Sequence, residues 1–339
     1  MLLPGTLLAE SFLLPENGDD VIGAIGLTTT RHEDTLSDLA WAYDQGYREI
    51  RHANPGVDPW LPGEGTEIII PSRYILPDAP RKGIVINVPE MRLYYFPKTR
   101  ESEPARVYTY PISIGRRDWS TPHGVTRIIS KIKDPTWTPP KSIKKEHAER
   151  GDPLPDVVPA GPDNPLGQFA MRLGIPGYLI HGTNKPYGLG MRVTHGCIRL
   201  YPKDIKELFE QIPVGTPVRI VDQPYKAGWL KGKLYIEAHP PLEESDKKGY
   251  QLLVNAISKA FEKVGKGKVD WNKVKQVAQE HTGMPVLVGV AAASQGGDSV
   301  RMVDSKDIPE GSEIAVETER PEQETNESGP PSASFTELF

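Results

Sequence analysis

The chain has 339 residues, a formal net charge of −5 and one cysteine. That length implies two or three folded units. The nearly balanced charge excludes the basic excess that nucleic-acid binding needs, and a single cysteine excludes an intrachain disulfide framework. No apolar run approaches the roughly 18 residues of a membrane-crossing helix, so no transmembrane segment is expected. The apolar start, Met1 to Glu10, has no Lys or Arg before it and is interrupted by Pro4 and Gly5, which makes it a poor secretory signal. Residues 1–27 read as a Gly/Pro-interrupted arm.

In residues 28–72, Asp34 or Thr35 is placed to cap a helix whose apolar positions Leu36, Leu39, Ala40 and Tyr43 follow a 3.6-residue period. A second short helix carries Tyr47, Ile50 and Ala53 into Asn54, and Ile68 to Ile70 read as a returning strand. With Asp34-Thr35-Leu36, a central Asn54-Pro55 and an Ile-rich close at Pro71, this strand–helix–helix–strand order resembles a LysM module. The resemblance implies binding to N-acetylglucosamine-containing glycan strands. A small αβ spacer without ligand is the alternative, and docking on the neighbouring domain to shape its cleft is a further role.

From Arg81 the pattern changes to period two. Ile84–Val88 and Met91–Phe96 read as strands joined by a turn at Pro89-Glu90. Arg106–Tyr110 with Ile112–Gly115 read as a third strand, and Val125–Ile132 as another after the turn Thr121-Pro122-His123-Gly124. An all-β core follows. Trp137 opens a different passage: Lys141–Arg150 reads as one helix, and 151–167 is crowded with proline and glycine. A stretch of that kind inside a compact domain is disordered or functional. Trp137 and the strand Phe169–Leu173 after it favour an ordered, substrate-gripping cover over a plain crossover. His123 and His147 read as surface or structural residues.

The chemistry-bearing stretch is Tyr178–Tyr201. A short apolar strand delivers His181, a turn-rich loop with Pro186, Gly188 and Gly190 follows, and Thr194-His195-Gly196-Cys197-Ile198-Arg199 closes it. A free thiol with a pKa of about 8.5 is mostly protonated at neutral pH, so a cysteine nucleophile needs a base beside it. Small residues around Cys197 leave backbone amides open to a carbonyl oxygen, as an oxyanion hole requires. A buried, inert cysteine with two unrelated histidines is the bland alternative. A zinc site of His181, His195 and Cys197 is another, since three protein ligands and a water suffice for a catalytic zinc.

The pattern of His181 followed by Thr194-His195-Gly196-Cys197, an apolar residue and Arg199 resembles the signature of the YkuD-type L,D-transpeptidases. That family motif accounts for the same atoms without metal, so neither metal nor cofactor is expected. The resemblance implies a mainly β fold: a YkuD-type β-sandwich or barrel over residues 80–222, beside the small αβ LysM module. It also implies acyl transfer on peptidoglycan stem peptides. Cys197 is the implied nucleophile and His181 its base, oriented by the backbone carbonyl of Gly182. His195 shapes the pocket or serves as an alternative base, and the amides of Gly196 and Cys197 are implied oxyanion donors. Arg199 suits a substrate carboxylate or a structural clamp, and Arg192, Thr194 and Trp137 are further substrate-binding candidates. The implied acceptor is a second stem peptide, or an outer-membrane protein or lipoprotein anchored to the wall in the periplasm. Water at the same thioester would make the protein an L,D-carboxypeptidase or amidase, and an idle thiol would leave a wall-binding protein.

After the motif, Pro202 suits a first helical position, with Ile205, Leu208, Phe209 and Ile212 on one face, and Val218–Val221 reads as the closing strand. Residues 223–290 read as an α+β accessory subdomain. It comprises a hairpin around Gly232, a helix starting at Asp246, a second capped by Asp270 and a strand at Val286–Val290. Residues 291–339 read as a disordered acidic tail by composition.

Overall fold

The computed structural model describes residues 10–15, 18–99, 103–242 and 249–292. The first nine residues of the expected arm, the expected helix start at Asp246 and the expected tail beyond residue 292 lie outside the described residues. The chain forms two compact units. One holds residues up to 14 with 22–73 and 77–223, and the other holds 15–21, 74–76 and the chain from 224. Strand outweighs helix, in keeping with the expected mainly β class.

The N-terminal part runs β1 (Glu10–Leu13), β2 (Val21–Gly23), β3 (Gly26–Thr29), α1 (Leu36–Ala42), α2 (Tyr47–Ala53), β4 (Glu67–Ile70) and β5 (Arg73–Ile75). Thr35, not Asp34, caps α1: its hydroxyl accepts from the Asp38 amide at 3.2 Å and its own amide donates to the Asp38 carboxylate at 3.0 Å. Asp34 instead accepts from the Arg31 amide. Leu36, Leu39, Ala40, Ile50, Ile68 and Ile70 form a small core beneath the antiparallel β3–β4 pair. Asn54 joins α2 to that pair, because its amide nitrogen donates to the carbonyls of Ile50 and Ile69 and its oxygen accepts from the Ile69 amide.

There follow β6 (Gly83–Asn87), β7 (Arg92–Phe96), β8 (Arg106–Pro111), β9 (Ile114–Gly115), β10 (Gly124–Lys133) and α3 (Lys141–Glu149). Next come β11 (Phe169–Leu173), β12 (Leu179–His181), β13 (Arg192–Thr194), β14 (Ile198–Arg199), α4 (Pro202–Gln211) and β15 (Pro217–Val221). Nine of these strands form one sheet in the order β1-β8-β7-β6-β15-β10-β11-β12-β14. The pairs β6–β15 and β12–β14 are parallel, and the other six are antiparallel. Three sequence expectations change. Strands β6 and β7 are buried at every position, so their apolar runs reflect two covered faces rather than an alternating half-buried strand. The stretch expected as one strand through Gly115 breaks after Pro111, and β9 pairs in parallel with β13 in a separate ladder. The arm contributes β1, which lies antiparallel to β8 at the edge of the sheet.

The α1–α2 turn meets the loop that leads into the cysteine motif. The Tyr47 amide donates to the Leu189 carbonyl at 2.7 Å, and the Tyr201 hydroxyl donates to the Gln45 carbonyl at 3.1 Å. Trp41 stacks on Tyr187 and sets its edge against Tyr201. Gly190, at φ +87°, lies so close to Gly46 that an added Cβ would fall 2.5 Å from the Gly46 Cα. Beneath this contact Arg92, fully buried, pairs with Glu49 at 2.6 and 2.9 Å and donates to Thr109 at 3.2 Å.

In the second unit β16 (Tyr225–Leu230) and β17 (Lys233–Ala238) form the expected hairpin, turning at Lys231-Gly232, both with positive φ. With β18 (Gly267–Val269) and β19 (Val286–Ala291) they make a four-stranded sheet in the order β16-β17-β19-β18. Helices Gly249–Glu262 and Trp271–Glu280 bury Leu253, Ile257, Val274 and Val277 in a core with Trp229, Leu234 and Ile236. Asp270 caps the second helix, as its sequence position predicts.

Candidate active site

The parallel pairing of β12 with β14 brings the two halves of the motif together. Ile180 faces Ile198 and His181 faces Arg199 across the ladder. Cys197 immediately precedes β14, so by strand alternation it shares a face with Arg199 and with His181. Arg199 is anchored through its backbone, which exchanges hydrogen bonds with Ser113 at 2.9 and 3.0 Å. Ser113 is itself fully buried, and its hydroxyl accepts from the Gly190 amide at 3.0 Å and the Met191 amide at 3.3 Å.

His181 is 5% exposed, and its Nδ1 lies 2.6 Å from the Gly182 carbonyl oxygen. That oxygen can only accept, so Nδ1 carries the hydrogen and Nε2 keeps a lone pair. Burial first, and then the Arg199 charge, lower the pKa of the imidazole to about 3, against a smaller opposing effect of the Gly182 and Leu166 carbonyls. The ring is therefore an uncharged base at neutral pH. Gly182 leaves its third partner to the main chain, and an added Cβ there would meet Ile205 at 3.0 Å.

Cys197 is partly buried, and its thiol donates to the Gly177 carbonyl at 3.7 Å. Burial raises its pKa, opposed by a backbone hydrogen bond from Leu179 and by the charge of Arg199. The resting sulfur is a thiol, and a base is needed to take its proton. Burial likewise lowers the pKa of Arg199, the nearby sulfur opposes this, and Arg199 Nε is buried without a hydrogen-bond partner.

The turn before the cysteine is internally tied. Thr194 is 3% exposed, and its hydroxyl donates to the Cys197 carbonyl at 2.6 Å and accepts from the Gly196 amide at 3.2 Å. This candidate for substrate contact therefore has its hydroxyl engaged inside the turn. Of the two expected oxyanion donors, the Gly196 amide is engaged as well. Gly196 sits at φ +98°, and an added Cβ would fall 2.7 Å from the Tyr178 ring. Its carbonyl accepts from Thr121 Oγ1 at 3.0 Å, a contact nothing in the sequence indicates.

His195 points elsewhere. Its Nε2 lies 3.0 Å from Glu146 of α3, and its ring stands edge-on to Trp119 at 5.3 Å. Arg116 Nη1 donates to the same carboxylate at 2.7 Å. Glu146 was not legible as a site residue, because its partners lie 30 and 49 positions away and its helix reads as polar surface. Arg192, on β13, is partly buried with Nε 3.4 Å from the Gly115 carbonyl. Trp137 is half-buried, and its backbone pairs with Val158 inside the 134–168 passage. Fully buried Asn164 donates to the carbonyls of Pro135 and Pro159 and ties that passage into ordered structure.

A buried neutral imidazole one strand from a lone thiol, with an arginine beside both, is the arrangement of a cysteine acyltransferase. Residues 81–220 match the L,D-transpeptidase catalytic domain of the YkuD family, and residues 230–288 match the L,D-transpeptidase C-terminal domain. ErfK/SrfK of Escherichia coli K12, named a probable L,D-transpeptidase, is 43% identical over 293 residues, which is 84% of this chain and 92% of that protein. YbiS and YcfS of the same strain, also named probable L,D-transpeptidases, are 42% and 41% identical, and the matches cover 83% of this chain and 92% and 88% of those proteins. The chain belongs to the YkuD-type L,D-transpeptidase family.

Proposed function

We propose that the protein is a cysteine-dependent L,D-transpeptidase acting on the tetrapeptide stems of peptidoglycan. Cys197 Sγ attacks the carbonyl of the diaminopimelate residue at the third stem position while its proton passes to His181 Nε2. The bond to the terminal D-alanine breaks, and D-alanine leaves with that proton. An acceptor amine then attacks the thioester, gives its proton to the imidazole and releases the thiol. The observation that carries this reading is the neutral His181, whose Nδ1 donates to Gly182 and whose Nε2 is left basic, on the strand beside Cys197.

The amide of Cys197 serves the developing oxyanion. Arg199 favours the thiolate form of the sulfur, and its unpartnered Nε supports a contact with a carboxylate of the stem peptide. Arg192 and Trp137 are further substrate contacts, from β13 and from the edge of the cover. The names of the relatives support an amine rather than water as acceptor, either from a second stem peptide or from the lysine of an outer-membrane protein. We place the enzyme in the periplasm, where that substrate lies. Among the described residues no helix is long and apolar enough to cross a membrane. The β3–α1–α2–β4 order supports a LysM-type module that holds glycan strands.

Incubation with purified disaccharide-tetrapeptide, with and without an amine acceptor, tests the reading by product mass. D-Alanine release with an acyl–amine product, lost in Cys197→Ala, supports it. A free tripeptide product regardless of amine makes the protein a carboxypeptidase, and the absence of any Cys197 thioester overturns the enzymatic reading.

A further inference from the structure

The passage between β10 and β11 holds both motif histidines. At its end Leu166 lies beside the His181 ring, its carbonyl partly opposing the lowered pKa of the imidazole, and Gly167 packs so tightly that an added Cβ would fall 2.8 Å from the Thr183 amide. In its middle, α3 presents Glu146. The carboxylate faces His195 Nε2 at 3.0 Å, takes Arg116 on both oxygens and is reached by Arg150 from the next helical turn. Only about a fifth of each of the Glu146 and His195 side chains is exposed, at 20% and 23%.

This carboxylate has one chemical character. The Arg116 hydrogen bond, set against burial and aided by His195, holds its pKa down to about 2, so it is ionised and can only accept. Burial lowers the pKa of His195, Arg116 and His147 lower it further, and Glu146 only partly offsets them. A neutral imidazole facing an acceptor-only group must place its hydrogen on Nε2 and its lone pair on Nδ1.

We infer that Glu146 is a positioning residue: it fixes His195 as the Nε2–H tautomer and ties α3 to the turn that carries Cys197. His195 directly precedes Gly196, whose positive-φ backbone packs against Tyr178 with no room for a Cβ, so the orientation of the imidazole is coupled to the geometry of the nucleophile turn. In that tautomer Nε2 of His195 is committed to Glu146 as a donor, and only Nδ1 keeps a lone pair.

The consequence for rate rests on the transpeptidase reading, whereas the tautomer does not, so two readouts separate them. Side-chain nitrogen NMR of the full chain reads which nitrogen of each histidine is protonated at neutral pH. In the wild type His195 is expected as Nε2–H. In Glu146→Ala the two tautomers of His195 exchange while His181 keeps its Nδ1–H signal, which also certifies the fold. Glu146→Gln keeps an acceptor oxygen but loses the charge that draws Arg116, and it falls between the two. Acylation of Cys197 by tetrapeptide slows by about 10- to 100-fold in Glu146→Ala, the scale of a misplaced reacting group. A wild type that forms no thioester would remove the enzymatic reading, while the tautomer change would still support the clasp. A folded Glu146→Ala protein with His195 still fixed as Nε2–H, or with an unchanged acylation rate in an active enzyme, overturns the inference.

Discussion

His181 and Arg199 face each other across the parallel β12–β14 ladder, and the arginine helps to keep the histidine uncharged. A cation there weakens the imidazole as a base, and it also acts on the neighbouring sulfur. The same charge lowers the pKa of Cys197 against its burial. Arg199 thus acts in opposite senses on the two partners: it disfavours the imidazolium and favours the thiolate, so the charge keeps His181 neutral at rest while easing loss of the Cys197 proton.

One consequence is a flat pH profile where histidine enzymes usually titrate. An ordinary imidazole gains its proton between about pH 5 and 8, whereas His181 does so only near 3. The rate of Cys197 acylation is expected to be level across that range, with no acid limb above it. Arg199→Ala is expected to move the His181 pKa up only part of the way, because burial, the larger cause, remains, while the sulfur becomes a poorer thiolate. Single-turnover acylation followed by intact mass across the pH range checks both.

Stability responds to pH in two opposed windows. The unfolded chain protonates His181 near 6.5 and the folded chain only near 3, so native stability falls as pH drops through that interval. Asp204 behaves in the opposite sense. Burial, and then the neighbouring Asp44, raise its pKa well above the ordinary carboxyl value, so the folded chain holds a proton the unfolded chain has lost. Its contribution is lost as pH rises through the raised value. Asp204→Asn is expected to stabilise the protein on the alkaline side and to change little in acid. Denaturant titrations of wild type and variant at several pH values read this directly.

The contact between the N-terminal module and the motif loop is steric at its centre. Gly190→Ala introduces a Cβ 2.5 Å from the Gly46 Cα and 2.6 Å from the Tyr47 amide at a positive φ, so backbone must move. Gly46→Ala meets Gly190 at 3.0 Å from an ordinary extended φ and is the milder change. Acylation rate and melting temperature are expected to fall in both, more in Gly190→Ala. The reverse order would mean that the loop does not depend on this contact.

Glu49→Ala leaves Arg92 fully buried and without its bidentate partner. Breaking a buried pair from one side costs about 3–5 kcal/mol, a loss that chemical denaturation resolves. Losing far less would show that the Thr109 hydroxyl and the Asp44 carbonyl, which accepts from Arg92 Nη2 at 3.2 Å, suffice to hold the guanidinium.

Local signals carried much of this into the sequence. Asp34-Thr35 before the apolar Leu36 marks a helix start, Pro202 marks another, and the turn at Lys231-Gly232 sits between two apolar runs. His181 and the Thr194–Arg199 motif are legible because the spacing of two histidines and a lone cysteine among glycines stands out locally. Non-local pairings were not. Strands β9, β13 and β14 have two or three residues each, too few to show a period, and only the partner strand defines them. Strand β1 alternates over four residues amid prolines and glycines, which masks it. Glu146 and Glu49 look like solvent-facing helix charges until the fold places Arg116, His195 and Arg92 beside them.

The central claim is that the neutral imidazole of His181 takes the proton of Cys197. The rate of thioester formation on Cys197, measured by intact mass with tetrapeptide in wild type and His181→Ala, tests it most directly. A fall of about 10²- to 10⁴-fold, the usual contribution of a general base, is the expected result. Acylation of the folded variant at the wild-type rate would contradict the account.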